Sequence, residues 1–160
     1  MKKIFFLSLI AIMGLTFTAC ENDEIDVNNI YPARQIYKAP NTTWGASVAD
    51  VRASMSGFDL TADIENSSDG WYIWFSGYDY DRKGVFYHYY FKTATTDLFK
   101  VIIYLDNSAI TLDNITTQLE TQGYTYSGYN NDGTHSYKSS TTLVNVKVSP
   151  DERVIIYTQL

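Results

Sequence analysis

Hydrophobic and polar positions along the chain fall into two rhythms. Val48, Val51 and Met55 recur at i, i+3 and i+7, which is one apolar stripe of a short helix. Ser47 stands just before it with Asp50 three residues on, a capping-box pair, and Gly57 sits where a helix-ending glycine belongs. The period then changes to two. Phe58, Leu60, Ala62 and Ile64 alternate with polar residues and predict a strand. Asn66 to Gly70 reads as a turn, Trp71 to Ser76 as an aromatic strand, and Tyr78 to Gly84 as a loop. Val85 to Lys92 and Leu98 to Leu105 are two more strands, the second apolar enough to be central.

The same sequence of patterns then recurs. Thr111 caps a second helix whose stripe is Leu112, Ile115 and Leu119, and Gly123 ends it. Tyr124 to Tyr129 alternates as a strand, and Asn130 to Gly133 (N-N-D-G) is a hairpin turn. His135 to Ser140, Thr142 to Val148 and Arg153 to Leu160 are the remaining strands, with a turn at Ser149 to Glu152. The predicted order is one helix and four strands, twice. Stripe positions are 64 residues apart and the glycines 66. Residues 42–106 and 107–160 are therefore candidate tandem units of one domain, 42–160. Each is too small to bury a good core alone. The expected class is α+β, with short helices packed on one face of a shared antiparallel sheet.

The N-terminus follows neither rhythm. Lys2 and Lys3 precede an almost wholly apolar run, Ile4 to Phe17, then Thr18, Ala19 and the single cysteine, Cys20. A basic start, an apolar middle too short to span a bilayer comfortably and a small-residue end make residues 1–19 a secretory signal. F-T-A-C resembles a bacterial lipobox, whose cysteine becomes the lipid-modified first residue of the mature protein. That resemblance implies a membrane attachment at Cys20 through two or three acyl chains, enough for a durable anchor. Residues 20–41 read as a tether. Glu21, Asp23, Glu24 and Asp26 make its start acidic, and Pro32 and Pro40 discourage regular structure. The acidic start resembles the export signal of Bacteroidetes-type surface lipoproteins. It implies an outer-membrane location facing outward, with a periplasm-facing one as the alternative.

Composition narrows the function classes. One cysteine in 160 residues supports neither an internal disulfide nor a cysteine-based zinc site. The formal charge is -6, and removal of Lys2 and Lys3 with the signal takes it to -8, which argues against a nucleic-acid partner. Catalytic motifs are missing: the sequence has no G-x-S-x-G, H-E-x-x-H or phosphate-cradling glycine loop. His88, inside Y-H-Y-Y, and His135, beside the hairpin turn, read as a sheet residue and a solvent-facing residue. Asp79, Asp81 and Gly84 faintly resemble a calcium loop, but Arg82 and Lys83 bring positive charge into it and a solvated hairpin loop is the better reading. The expectation is therefore no cofactor, no metal and no enzyme, with a small hydrolase as a remote alternative.

The run T-W-G-A-S-V-A-D-V-R-A-S-M, Thr43 to Met55, leads to a second resemblance. Trp44, Gly45, Ser47, Val51 and Gly57 are similar to the repeat start of beta-lactamase-inhibitory-protein-like domains, across about residues 42–160. The second half has no Trp-Gly start. The resemblance implies a helix-and-sheet binding scaffold of a kind sometimes used to grip another protein.

Aromatic residues are 16% of the chain and concentrate on two adjacent strands. Alternation sends Trp71, Ile73 and Phe75 to one face and Tyr72 and Trp74 to the other. It likewise separates Val85, Tyr87, Tyr89 and Phe91 from Phe86, His88 and Tyr90. One face must meet the helices; the other carries rings toward solvent. Tyr72, Trp74, Phe86 and Tyr90 are thus the candidate binding residues. A protein partner is the first expectation. A glycan partner is the second, since flat rings stack on sugars. Plain cross-strand pairing that only stabilises the sheet is the bland alternative.

Overall fold

Two helix starts are built alike. The Ser47 hydroxyl accepts from the Asp50 N–H at 3.1 Å while the Asp50 carboxylate accepts from the Ser47 N–H at 3.2 Å. At the second start Thr111 and Asn114 make the same exchange at 3.3 and 3.0 Å. These boxes open α1 (Val48–Ser54) and α2 (Leu112–Thr121). Gly57 and Gly123 follow the helix ends at φ +93° and +87°, a region that side chains with a Cβ rarely adopt. All of this belongs to a computed structural model that describes residues 35–79 and 82–160. The signal, Cys20, most of the tether, Tyr80 and Asp81 lie outside the described residues.

The strands are β1 (Asp59–Ser67), β2 (Gly70–Tyr78), β3 (Gly84–Phe91), β4 (Leu98–Leu105), β5 (Thr125–Tyr129), β6 (His135–Lys138), β7 (Thr142–Val148) and β8 (Arg153–Gln159). They form one eight-stranded antiparallel sheet in the order β1-β2-β3-β4-β8-β7-β6-β5. The α+β expectation holds. The last strand of each half meets the other at the sheet centre, where Ile102 pairs with Ile156.

Alternation divides this sheet into a covered and an open face. Ile73, Phe75, Tyr87, Tyr89, Val101, Ile103, Val144, Val146, Ile155 and Tyr157 are buried on the covered face, in one core with Val51 of α1 and Ile115 and Leu119 of α2. Fully burying such a side chain contributes about 1.5–3 kcal/mol, so this continuous layer carries most of the fold. Its tyrosines keep their hydroxyls paired, as burial requires. Tyr157 and Tyr37 bond to each other at 2.8 Å, Tyr137 bonds Thr116 of α2 at 2.6 Å, and Tyr89 reaches Met55 Sδ at 3.2 Å.

Two expectations need correction. The tether was expected to run to residue 41, but Ile36 and Tyr37 are core residues, 6% and 2% exposed. The Gln118 side chain holds them, accepting from Ile36 N–H at 2.7 Å and donating to the Tyr37 carbonyl at 2.9 Å. Tyr87 donates to the Lys38 carbonyl, and Tyr89 accepts from Asn41 N–H. A non-regular segment can be buried when side chains satisfy its backbone in this way. The inward alternation expected of β1 also fails at Leu60, which is 45% exposed. Register shifts after Leu60 and after Ala62 break the period-two pattern there.

Candidate functional site

Among the described residues neither helix covers the open face of β2, β3 and β4, since α1 and α2 pack with the covered face. Cross-strand partners share a face, so the register sets its rows. One row runs Tyr72, Tyr90, Lys100; the next Trp74, His88, Ile102; the next Ser76, Phe86, Tyr104. All four sequence-predicted residues, Tyr72, Trp74, Phe86 and Tyr90, stand on this face, each half-buried. They touch through rings. Trp74 meets Phe86 edge-on at 6.2 Å between centroids, and Tyr72 and Tyr90 are tilted at 5.8 Å.

His88 is at the centre. Its ring lies 4.8 Å from Trp74, 5.2 Å from Tyr104 and 6.3 Å, stacked, from Tyr72. Burial pushes its pKa down, so the imidazole is neutral at pH 7 and serves the patch as one more flat ring. The Trp74 indole N–H is buried and meets no acceptor among the described residues. The rim is polar. Tyr72 donates to Glu65 at 2.6 Å, which raises the phenol pKa. Lys100 pairs with Asp69 at 2.8 Å and stands 4.2 Å over the Tyr90 ring, a cation–π contact.

Across the Ile102–Ile156 pair the same row continues through Asn145 and Ser136. Here hydrogen bonds replace rings. Ser136 donates to the Asn145 side-chain oxygen at 2.6 Å, and Asn130 donates to Ser136 at 2.7 Å and Thr134 at 2.9 Å.

The other candidates are accounted for structurally. Asp79 is buried at the end of β2 and accepts from Lys83 N–H and the Asn107 side chain, both at 2.8 Å, so its carboxylate braces the loop. His135 was expected to face solvent; it is half-buried, with its ring 4.8 Å from that of the exposed Tyr129. Among the described residues no group of three His, Cys, Asp or Glu could hold a metal ion. An open cavity of about 380 Å³ lies away from the aromatic patch, between Thr42, Trp44, Ser140, Thr141, Gln159 and Leu160. Trp44, the marker of the sequence resemblance, donates there to Thr142 at 3.0 Å and so ties the start of the first half to the second.

Sequence reasoning missed three members of the patch. His88 was placed on the right face but read only as a sheet residue, and Ile102 and Tyr104 were not singled out. The signal was available for Tyr104, since alternation in β4 opposes it to the buried Ile103 and Leu105. Its adjacency to His88 needs the β3–β4 register, which is non-local. No protein-family model, no curated protein and no solved structure matches the chain.

Proposed function

We propose that this is a non-enzymatic cell-envelope lipoprotein that binds a protein partner through the aromatic half of its open sheet face. The supporting observation is the cluster of Tyr72, Trp74, Phe86, His88, Tyr90 and Tyr104, left uncovered by either helix. Aromatic rings with a polar rim are what recognition surfaces concentrate, because they bury much area with few rotors to freeze. In this reading Cys20 carries the lipid, the acidic residues after it direct the chain outward, and the bound partner meets the patch at the outer-membrane surface. The two halves, on this account, are tandem copies of one unit. Matched capping boxes, matched positive-φ glycines and the meeting of equivalent last strands support that.

A glycan is the second reading, favoured by the Glu65 carboxylate beside the Tyr72 ring, which places an acceptor for sugar hydroxyls next to a stacking platform. Pull-down with the lipidated chain tests the first reading. A specific protein should be retained, and the double variant Tyr72→Ala, Trp74→Ala should lose it while folding normally. Retention undiminished in that variant would refute the assignment of the site, and selective capture of an oligosaccharide instead would favour the second reading. Cys20→Ala should move the protein out of the membrane fraction; if it stays there, the anchor is wrong.

A further inference from the structure

A carboxylate stands by each tyrosine of the aromatic patch. Tyr72 donates to Glu65 at 2.6 Å, and that bond raises its phenol pKa. Burial raises the phenol pKa of Tyr90 and Tyr104, with a further rise from Asp69 and Glu152 respectively. A fourth carboxylate flanks Phe86: a Cβ added at Gly84 would lie 2.9 Å from the Phe86 ring and 3.5 Å from Asp106 Cβ. The cations of this face are already engaged. Lys100 pairs with Asp69 and Lys147 with Glu152, both at 2.8 Å, while Lys83 and Lys92 lie beyond the two ends of β3. Glu65 and Asp106 are exposed and have no cationic partner among the described residues. His88, at the centre, is neutral at pH 7 and brings no positive charge among the rings.

We propose that the partner of this face is basic: an extended protein segment whose arginine side chains lie on the rings and pair with Glu65 and Asp106. The proposal rests on the protein-binding reading of the face. Three features select this chemistry. Ring faces are negative and attract cations, and this face already holds one in that way, Lys100 Nζ at 4.2 Å over Tyr90. A planar guanidinium stacks on a ring and forks onto a carboxylate, which suits a surface where the two stand side by side. The unpaired carboxylates also stand at opposite corners of the patch. Glu65 is on β1 opposite Tyr72, and Asp106 follows β4 with its N–H bonded to the Gly84 carbonyl. The strand spacing from β1 to β4 and the rise from Tyr90 to Gly84 put them roughly 25 Å apart, the reach of about seven extended residues. An acidic segment would set its own carboxylates against these and against the ring faces, which is repulsive.

The test uses the full chain in a neutral detergent. Its probe is a Gly-Ser-Arg repeat of about twelve residues, long enough to span the patch, with a Gly-Ser-Gln repeat of equal length as the uncharged match. The indole N–H resonance of Trp74, identified by its loss in Trp74→Phe, reads occupancy of the face. The arginine peptide should shift it to saturation and the glutamine peptide should leave it in place. Glu65→Gln with Asp106→Asn should raise the dissociation constant about fivefold or more; glutamine at 65 keeps an acceptor for the Tyr72 hydroxyl, so the rings keep their places. Asp113→Asn with Glu120→Gln, which removes the same charge from α2 on the covered side, should change it by less than about twofold. Circular dichroism confirms that the variants fold. No shift with the arginine peptide, an equal shift with both peptides, or equal weakening by the two double variants would each overturn the basic partner. The site itself stands or falls separately, by the pull-down. A protein lost from Tyr72→Ala, Trp74→Ala, when the Trp74 resonance ignores the arginine peptide, would leave the site in place and refute only this chemistry.

Discussion

The open face is one sheet with two surfaces. On the β1–β4 side its central row is Trp74, His88 and Ile102; on the β5–β8 side it is Ile156, Asn145 and Ser136. The polar half is closed on itself, because Asn130, Thr134, Ser136 and Asn145 satisfy one another. The aromatic half is held at its centre by ring contacts and keeps a buried indole N–H without an acceptor among the described residues. Beneath both halves the covered face is packed, with Val101 and Ile103 on one side of the centre and Ile155 and Tyr157 on the other, all fully buried. Both halves thus contribute to one core, while the ring cluster is confined to one of them.

Substitutions can break this comparison at several strengths. Ile103→Ala and Ile155→Ala should each destabilise by about 2–5 kcal/mol, the range for emptying a packed site. Equal losses in chemical denaturation would confirm that the halves share one core; a large loss in one half alone would refute it. Gln118→Ala should lose about 2–3 kcal/mol, because it leaves Ile36 N–H and the Tyr37 carbonyl buried without their partner. If the loss is under half a kcal/mol, the segment from 35 to 41 is tether after all. Asn145→Ala should lose about 1–2 kcal/mol by removing the acceptor of the Ser136 hydroxyl. On the aromatic side Trp74→Phe should change stability by less than about 1 kcal/mol, since it deletes a donor that is unpaired in the fold, yet it should weaken partner binding.

The smallest effect is in pH. Burial depresses the folded pKa of His88 below its unfolded value, so its contribution is fully present above about pH 6.5. It is lost as pH falls from there through the folded pKa. The folded pKa values of Asp50, Asp69 and Asp132 are also depressed, by hydrogen bonds to Ser47, Lys100 and Thr134 respectively, and their contributions are lost only near pH 4 and below. Melting temperatures of the parent and His88→Gln between pH 7.5 and 5 separate the two windows. The variant should lack the upper decline, and an identical slope in both proteins would contradict the placement of His88.

Much of this was legible in the chain because it is local. Caps at Ser47 and Thr111, glycines after both helices and the alternation that splits Tyr72 and Trp74 from Ile73 and Phe75 all depend on neighbours a few residues away. What was not legible depends on distance. Ile36 and Tyr37 sit among prolines and asparagines and become core only because Gln118, far along the chain, satisfies their backbone. The central role of His88 depends on Tyr104 coming from the next strand. The meeting of β4 with β8 is a matter of strand order, and period-two alternation is silent on order. The exposure of Leu60 follows from register shifts that no residue in β1 announces.

The central claim is that recognition belongs to the aromatic half alone. A photo-reactive phenylalanine placed at Phe86, and separately at Leu143 on the polar half, tests it in intact cells. Irradiation should attach a partner protein to the chain labelled at Phe86 and give no adduct at Leu143. Adducts at Leu143 alone, or equally at both positions, would contradict the account.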